Sequence, residues 1–165
     1  MWTIIKFNKK YFNHLKNDLK KNLGADVKIY NPKILVQKFK NNRPVNFEYS
    51  ILGDYLFCFH KEFQNPQTLQ ILKFAKGLKY FLNGCTQSQA EINQFINHCK
   101  VSENNKGYLS QNFFKVSENT NYRFSSGPFS EKIFKIISLQ KNKIDILLGN
   151  IKTTIKNKDL LFTPV

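Results

Sequence analysis

The chain has 165 residues, of which 41% are apolar and 15% aromatic, and its 26 Lys and Arg against 11 Asp and Glu give a net charge of +15. This length and apolar content suffice for one domain or two small ones with a buried core, which excludes a wholly disordered chain. No apolar run approaches the roughly 18 residues of a membrane-spanning helix, and the opening MWTIIKFNKK lacks the order of a secretory signal. We therefore expect a cytoplasmic protein that does not bind a membrane.

The positive charge comes almost entirely from lysine. Arginine occurs only at Arg43 and Arg123, whereas asparagine occurs 20 times. A field of this sign attracts nucleic acid and acidic protein surfaces. A coding bias towards Lys and Asn produces the same composition, so a functional basic face and a solvated background both remain open. The shortage of Arg argues against dense bidentate reading of bases or phosphates.

Hydrophobic periodicity predicts alternating strands and helices over the first hundred residues. The clearest element is a helix after Ser88, because Ser88 and Glu91 have capping-box spacing and apolar residues then recur with a helical period. In chain order, the predicted elements are a strand at 1–7, a helix at 9–23, strands at 26–31 and 33–39, a polar loop at 40–44, a strand at 55–59, a helix at 66–76, a strand at 78–82 and the helix after residue 88. This order predicts an α+β domain in which an antiparallel sheet is flanked by helices.

The last third of the chain has a different pattern. Residues 101–120 contain few aliphatic residues and balanced charges, which is typical of a linker. Strands are then predicted at 121–124, 132–138, 143–148, 151–156 and 159–163. Five short strands in this length indicate a small β-barrel. The predicted organisation is an α+β domain at 1–100, a linker at 101–120 and a barrel at 121–165.

The residue types used in catalysis and metal binding are sparse. The three cysteines have no CxxC spacing, which favours neither a disulfide framework nor a zinc site. Cys58 and His60 share one face of a predicted strand, but Cys58 lies in the most apolar part of the chain, where a thiol is ordinarily inert. The other cysteines and histidines are Cys85, Cys99, His14 and His98. We expect a binding protein that is not an enzyme and that holds no cofactor and no metal.

Three stretches in register resemble the NusG/RfaH-like family of transcription elongation factors. The sequence YRFSSGPF at Tyr122–Phe129 resembles the strand and Gly-Pro-Phe turn that begin the KOW barrel of that family. Trp2 in the first strand, Pro32 after the second, and ILGDYLF at Ile51–Phe57 resemble its N-terminal domain. The resemblance covers nearly the whole chain. It implies a NusG-type α+β domain followed by a five-stranded SH3-like (KOW) barrel.

Two positions depart from the family pattern. Gly53 stands where a proline usually precedes the variable residue and tyrosine, and Phe134 stands where a glycine usually follows Gly127 by seven residues. A bulky residue at the second position needs a different local backbone. These departures identify the chain as a divergent member, similar to the specialised RfaH-like proteins.

The resemblance implies a factor for transcription elongation or antitermination that binds RNA polymerase and the DNA of the elongation complex. Aromatic anchors in an exposed apolar patch dominate such interfaces. The implied polymerase-binding residues are Trp2, Leu52, Tyr55 and Phe57; the implied nucleic-acid-binding residues are Lys9, Lys10, Lys38, Lys40 and Arg43; and the implied partner-binding residue of the barrel is Phe129. The barrel partner is expected to be a ribosomal protein or a termination factor, and the chain is expected to be a monomer.

Two alternatives remain open from the residues alone. The predicted docking residues and the barrel residue also fit the pattern of ordinary core residues; these are Trp2, Leu52, Tyr55, Phe57 and Phe129. KOW barrels occur in ribosomal proteins as well, so the second functional hypothesis is a ribosome- or RNA-associated KOW-domain protein. Trp2 and the Leu52–Phe57 segment favour the polymerase hypothesis, because a ribosomal barrel does not need them.

Overall fold

The structure is a computed structural model that describes residues 1–156 and 160–165. The chain forms two compact units. The first comprises Met1–Pro32 with Ser50–His98, and the second comprises Lys33–Tyr49 with Cys99–Val165. The predicted domain limits at residues 100 and 121 stay a prediction.

The secondary structure of both units is as follows. The helices are α1 (Phe12–Leu23), α2 (Pro66–Leu72) and α3 (Gln89–Ser102). The strands are β1 (Trp2–Phe7), β2 (Lys28–Tyr30), β3 (Lys33–Lys40), β4 (Arg43–Ser50), β5 (Tyr55–Phe59), β6 (Leu78–Phe81), β7 (Asn121–Phe124), β8 (Ile133–Leu139), β9 (Lys143–Leu148), β10 (Ile151–Lys156) and β11 (Phe162–Pro164). No helix of the described residues is both long enough and apolar enough to cross a bilayer.

The first unit is built on a four-stranded sheet in the order β2-β5-β1-β6, and its neighbouring strands pair antiparallel. Successive side chains of a strand point to opposite faces of the sheet. One face contributes Ile5, Phe7, Leu56 and Cys58 to a core that is completed by Leu15, Leu19 and Leu23 of α1 and by Leu72 of α2. The helical period of α1 places its leucines on one side, so that lysines and asparagines remain in water.

The second unit contains the β3–β4 hairpin and a five-stranded antiparallel sheet in the order β10-β9-β8-β7-β11. All five strands of the larger sheet contribute to one apolar core. Its buried members are Tyr122, Phe124, Phe134, Ile136, Ile144, Ile146, Ile155 and Phe162. The predicted fold class, an α+β arrangement followed by a five-stranded antiparallel β structure, is confirmed.

The prediction of a polar loop at 40–44 is wrong. β3 runs to Lys40 and β4 starts at Arg43, so the connection is only Asn41-Asn42. Both asparagines have positive φ, 51° and 58°, which is the backbone of the type I′ turn that joins two twisted strands. The apolar alternation of Val45, Phe47 and Tyr49 carried the signal of this strand, but Pro44 obscured it because proline is rare inside strands.

Smaller differences lie at the ends of elements. The predicted helix at 9–23 begins as a 3-10 turn at Lys9–Tyr11, and α2 ends at Leu72, four residues before the predicted limit. Gly77 follows with φ +96°, and a Cβ there would lie 2.8 Å from the Cβ of Tyr11, so only glycine fits. Residue 159 of the strand predicted at 159–163 falls outside the described residues, and β11 covers only residues 162 and 163 of that prediction.

Phe134 takes the place of the usual glycine as a core residue. Its ring stacks on Phe124 with centroids 4.2 Å apart, and its side chain is fully buried. Phe134 has no left-handed backbone, so the bulky side chain fits the regular strand β8 and fills the core.

Residues 101–120, predicted as a linker, contain ordered contacts within the second unit. α3 extends to Ser102, and a 3-10 turn covers Gln111–Phe113. The Gln111 side chain is buried, and its Oε1 accepts a hydrogen bond of 2.9 Å from the backbone N–H of Phe162. This contact ties the segment to β11.

Candidate functional site

The second face of the four-stranded sheet carries the residues predicted to bind a partner. β1 and β5 pair so that Trp2 lies opposite Phe59 and Ile4 lies opposite Phe57. The same register places Lys6 beside the next residue of that face, Tyr55. The face therefore runs from a wholly apolar end at Trp2 to a mixed aromatic and basic end at Lys6.

The apolar end of this face is covered by α3. Trp2 is only 9% exposed and packs in a cluster with Phe57, Ile92 and Ile96. The Gln89 side chain fastens the helix to β1, because its Oε1 accepts the Trp2 N–H at 2.9 Å and its Nε2 donates to the Trp2 carbonyl at 2.7 Å. The expectation that Trp2 lies on an exposed patch is wrong, since α3 docks on it.

The other end of the face opens as an apolar groove. It has a volume of about 290 Å³, and we refer to it as the β5 groove. Its lining residues are Ile4, Leu52, Tyr55, Phe57 and Leu82. Leu82 is exposed, Leu52 and Tyr55 are half-buried at the rim, and Phe57 is a buried residue shared with the core under α3. Three of the four predicted docking residues thus meet in one groove.

The turn before β5 positions two of these residues. Gly53 N–H donates to the Ser50 carbonyl at 3.2 Å, and Tyr55 N–H donates to the Leu52 carbonyl at 3.1 Å. Gly53 has φ +64°, a conformation closed to proline, whose ring holds φ near −65°. This turn therefore excludes the proline of the family pattern, and it presents Leu52 and Tyr55 at the rim.

A polar cluster borders the β5 groove. The Tyr55 and Tyr80 hydroxyls lie 2.9 Å apart, and the Lys6 ammonium lies 5.1 Å and 5.5 Å from the two ring centroids. The hydrogen bond to Tyr55 and the charge of Asp54 raise the pKa of Lys6, whereas the hydrogen bond from Tyr80, with that of Lys6, lowers the pKa of Tyr55. Burial opposes ionisation of Asp54, but the hydrogen bond from Lys79 at 3.2 Å and the Lys6 charge outweigh it and hold its pKa below the usual range. The rim therefore keeps a positive charge beside an apolar floor.

Ile4, Lys6, Tyr80 and Leu82 belong to this site but are absent from the predicted residues. The alternation of β1 carried a signal for two of them, because Ile4 and Lys6 point to the same side as Trp2. Tyr80 and Leu82 join the site only through the pairing of β6 with β1, in which Tyr80 lies opposite Lys6. That long-range pairing is not readable from the local sequence.

The predicted nucleic-acid-binding residues divide between the two units. Lys9 and Lys10 are exposed on the 3-10 turn that precedes α1 in the first unit. Lys38, Lys40 and Arg43 are exposed together around the tip of the β3–β4 hairpin in the second unit. The hairpin therefore gathers three of the five into one local group.

Phe129 follows the Gly127-Pro128 turn of the second unit. Its ring centroid lies 5.7 Å from that of the core residue Phe124, yet the side chain remains exposed. Phe129 therefore has features of both a core residue and a partner-binding residue, because one side of its ring contacts the core and the other faces water.

The groups considered for catalysis are used in packing and in turns. Cys58 is completely buried, and desolvation raises the pKa of its thiol far above the usual range, so the nucleophilic thiolate is disfavoured. His60 is also buried, and its Nδ1 accepts the backbone N–H of Glu62 at 3.2 Å. Among residues 1–156 and 160–165, no group of three or more His, Cys, Asp or Glu is placed to hold a metal ion.

Comparison with known proteins finds similar solved structures but no related sequences. No family model and no curated protein matches the chain. The chain is similar to a structure of Thermotoga maritima NusG that concerns domain interaction, at 12% identity over 97% of this chain and 92% of that one, with a TM-score of 0.37. It is also similar to a chain of the crystal structure of the MjSpt4:Spt5 complex in conformation B, at 11% identity over 100% and 98% of the two chains, with a TM-score of 0.30.

Proposed function

We propose that the chain is a transcription elongation or antitermination factor whose first unit docks on RNA polymerase through the β5 groove. The proposal rests on one observation: an open apolar groove lies where the sequence resemblance to the NusG/RfaH-like family places polymerase-binding residues. Leu52, Tyr55 and Phe57 line it. The activity is binding, without a catalytic step.

The shape and chemistry of the groove fit an apolar projection of a partner protein. Interface energy concentrates in a few aromatic and aliphatic anchors that sit in pockets and are surrounded by a polar rim. Tyr55 provides an aromatic edge. Lys79 is paired with Asp54 at 3.2 Å, so Lys6 supplies the remaining positive charge at the rim. A partner segment with an apolar side chain beside an acidic one satisfies both parts of the site.

The docking set differs from the sequence-based set at one residue. Because Trp2 is buried beneath α3, it supports the groove from inside and has little surface for a partner. Ile4 and Leu82 take its place as groove residues. The docking residues of the proposal are therefore Leu52 and Tyr55 with Ile4 and Leu82, and the buried Phe57 forms the floor of the groove.

The remaining contacts of the proposal lie elsewhere. Lys9 and Lys10 contact phosphates of the elongation complex, an interaction that is independent of base sequence and weakened by salt. In the second unit, Phe129 offers an exposed ring on the turn after β7 and binds a second partner, a ribosomal protein or a termination factor.

The decisive experiment measures binding of the full chain to purified, nuclease-treated RNA polymerase from the same organism. We expect the double variant Leu52→Ser with Tyr55→Ala to lose at least about tenfold in affinity, because interface anchors of this kind contribute roughly 2 kcal/mol or more each. Phe74→Ala is the matched control, since Phe74 is 90% exposed in the same unit but outside the groove.

Two results would contradict the proposal. The first is full polymerase binding by the double variant with an unchanged circular dichroism spectrum. The second is recovery of the chain with ribosomes, abolished by nuclease, together with absence of polymerase binding, which supports the ribosome-associated alternative instead.

A further inference from the structure

The second unit contains a pocket of about 250 Å³, which we name the Gln111 pocket. Strand β3, the segment after α3 and the residues just before β11 form its wall, whose apolar part consists of Leu35, Leu109, Leu160 and Leu161. Gly127 makes room for Leu160, because a Cβ at that position would overlap the Leu160 Cδ2 atom. The volume lies just below the roughly 300–1,000 Å³ of sites for drug-sized ligands, so a smaller molecule fits.

Gln111 contributes a buried hydrogen-bond donor to this wall. Its side chain is only 4% exposed, and its Oε1 is occupied by the backbone N–H of Phe162. Within the described part of the chain, nothing accepts a hydrogen bond from its Nε2. Because a buried polar group without a partner destabilises the fold, an acceptor brought in by a ligand forms a hydrogen bond for which the donor has already lost its water.

Two further polar side chains of the wall also have donors to offer. Ser126 Oγ accepts the Leu161 N–H at 2.7 Å, and a hydroxyl that accepts in this way still has its own hydrogen to donate. Asn104 Oδ1 accepts the N–H groups of Lys106 at 2.9 Å and Tyr108 at 3.1 Å, so its amide nitrogen is the end left for a ligand. The ligand that suits this wall therefore supplies an acceptor oxygen.

The charge of the wall restricts the kind of oxygen. Among residues 1–156 and 160–165, those that line the pocket carry no charged side chain. A carboxylate or a phosphate would lose its hydration beside the leucines without gaining a cation, which is costly. A neutral carbonyl oxygen loses less hydration and accepts hydrogen bonds through two lone pairs. An aliphatic group next to that carbonyl matches the four leucines.

We propose that the Gln111 pocket binds a small neutral aliphatic amide, whose carbonyl oxygen accepts from Gln111 Nε2 and whose hydrocarbon part packs on the leucines. A free amide and a peptide segment with a branched aliphatic side chain both offer this chemistry. Because Nε2 is buried, the ligand reaches it when half-buried wall side chains such as Leu160 change rotamer. The inference concerns the second unit and is independent of docking at the β5 groove.

The test is a titration of the ¹⁵N-labelled full chain with isovaleramide, a neutral amide with a branched aliphatic body, followed by NMR of the side-chain NH₂ groups. The Gln111 pair is identified as the one missing from the spectrum of Gln111→Glu. We expect binding in the millimolar range for so small a ligand, with a saturable downfield shift of that pair because its N–H gains an acceptor. Isovalerate, which has the same shape but carries a carboxylate, is expected to bind at least about tenfold more weakly.

Gln111→Glu also serves as the matched variant for the hydrogen bond. It keeps the shape of the side chain and an oxygen for the Phe162 N–H, but it removes the donor. We expect the affinity for isovaleramide to fall about tenfold, the effect of one hydrogen bond to a buried group. Gln111→Met, which is uncharged and similar in length, is expected to show the same loss if the buried carboxylate impairs folding.

A second pair of variants tests the pocket itself and leaves Gln111 unchanged. Leu35→Trp fills the pocket from the half-buried side of β3 and is expected to abolish binding of isovaleramide. Phe39→Trp is the control, since Phe39 is exposed in the same strand and does not line the pocket. Circular dichroism verifies that both variants are folded.

N-acetyl-leucinamide separates the two sources of the ligand. Tighter binding than that of isovaleramide supports a peptide segment, whereas weaker binding supports a free small amide. Three results would overturn the proposal: Gln111 signals that do not move up to the solubility limit of isovaleramide, which would show that water alone fills the pocket; full binding by folded Leu35→Trp; or stronger binding of isovalerate than of isovaleramide.

Discussion

The two faces of the four-stranded sheet are made by the same strands, yet they differ in how completely they are covered. One face packs against α1 and α2, and its central residues Ile5 and Leu56 are completely buried. The other face is closed by α3 over Trp2 and opens beyond it into the β5 groove. The difference follows the placement of the helices, and the end that no helix covers is also the end that carries Lys6, Tyr55 and Tyr80.

This contrast separates packing from binding in neighbouring residues of one strand. Leu56 and Phe57 are consecutive, apolar and buried, but Leu56 packs beneath α1 and α2, whereas Phe57 lies under α3 and forms the floor of the β5 groove. A residue that looks like a docking anchor in the sequence can therefore be a core residue, as Trp2 is. The variants below test each part of the comparison.

The largest effect is expected at Trp2. Trp2→Ala removes a ring that packs on Phe57 and Phe59, and a buried large-to-small aromatic change costs about 3–5 kcal/mol of unfolding free energy. Urea unfolding followed by circular dichroism measures it, with Trp2→Phe as a control that retains most of the packing. A cost below about 1 kcal/mol, the size of a surface change, would mean that α3 does not cover this end of the face.

The next largest effect is the difference in unfolding free energy between variants on the two faces of the four-stranded sheet. Leu56→Ala empties a fully buried position between the sheet and the helices and is expected to cost about 2–5 kcal/mol, whereas Leu52→Ala at the groove rim is expected to cost less than about 1.5 kcal/mol. Urea unfolding followed by Trp2 fluorescence reports on this unit for both variants. Equal costs would contradict the assignment of Leu52 to an open surface.

Labelling with a thiol reagent tests whether each face of the sheet is accessible to solvent. The variant used is expected to have almost the same stability as the native chain. Cys58 lies on the covered face, and its burial raises the pKa of its thiol, so it is expected to resist a thiol reagent in the native state. A Leu52→Cys variant is expected to react at about the rate of an unfolded thiol, because its side chain lies at the groove rim. Reaction of the native chain under the same conditions provides the control. Slow labelling at position 52 would show that the groove is closed.

The smallest effect is a pH dependence at the groove rim. The pKa of Asp54 is lower in the folded chain than the unfolded value of about 3.9, so its contribution is complete above that value and is lost as pH falls through the folded pKa. Asp54→Asn is therefore expected to be slightly less stable than the native chain near neutral pH, and the difference is expected to vanish in acid. Unfolding curves at a series of pH values measure it, and a difference that persists at the acid end would exclude the carboxylate as its source.

Much of the fold was readable from local sequence patterns. Helical spacing in α1 and strand alternation in β1 each depend on residues a few positions apart, so the predicted types of these elements agree with the structure. The β4 strand was missed because Pro44 and two asparagines resemble a loop until the type I′ geometry of Asn41-Asn42 is known. The turn at Gly53 was noticed as a departure, but its cause is visible only in the backbone.

By itself, the sequence determined the type of elements such as α1 and β1 and which of their residues share a face, because those properties depend on local backbone and side-chain geometry. The tertiary structure alone decided that Trp2 is buried and that Tyr80 and Leu82 join the β5 groove. The hydrogen bonds between Gln89 and Trp2 join residues 87 positions apart, and no local pattern specifies which side chains meet across such a distance. Burial is therefore a property of the packed chain, and the binding surfaces are the regions that packing leaves open.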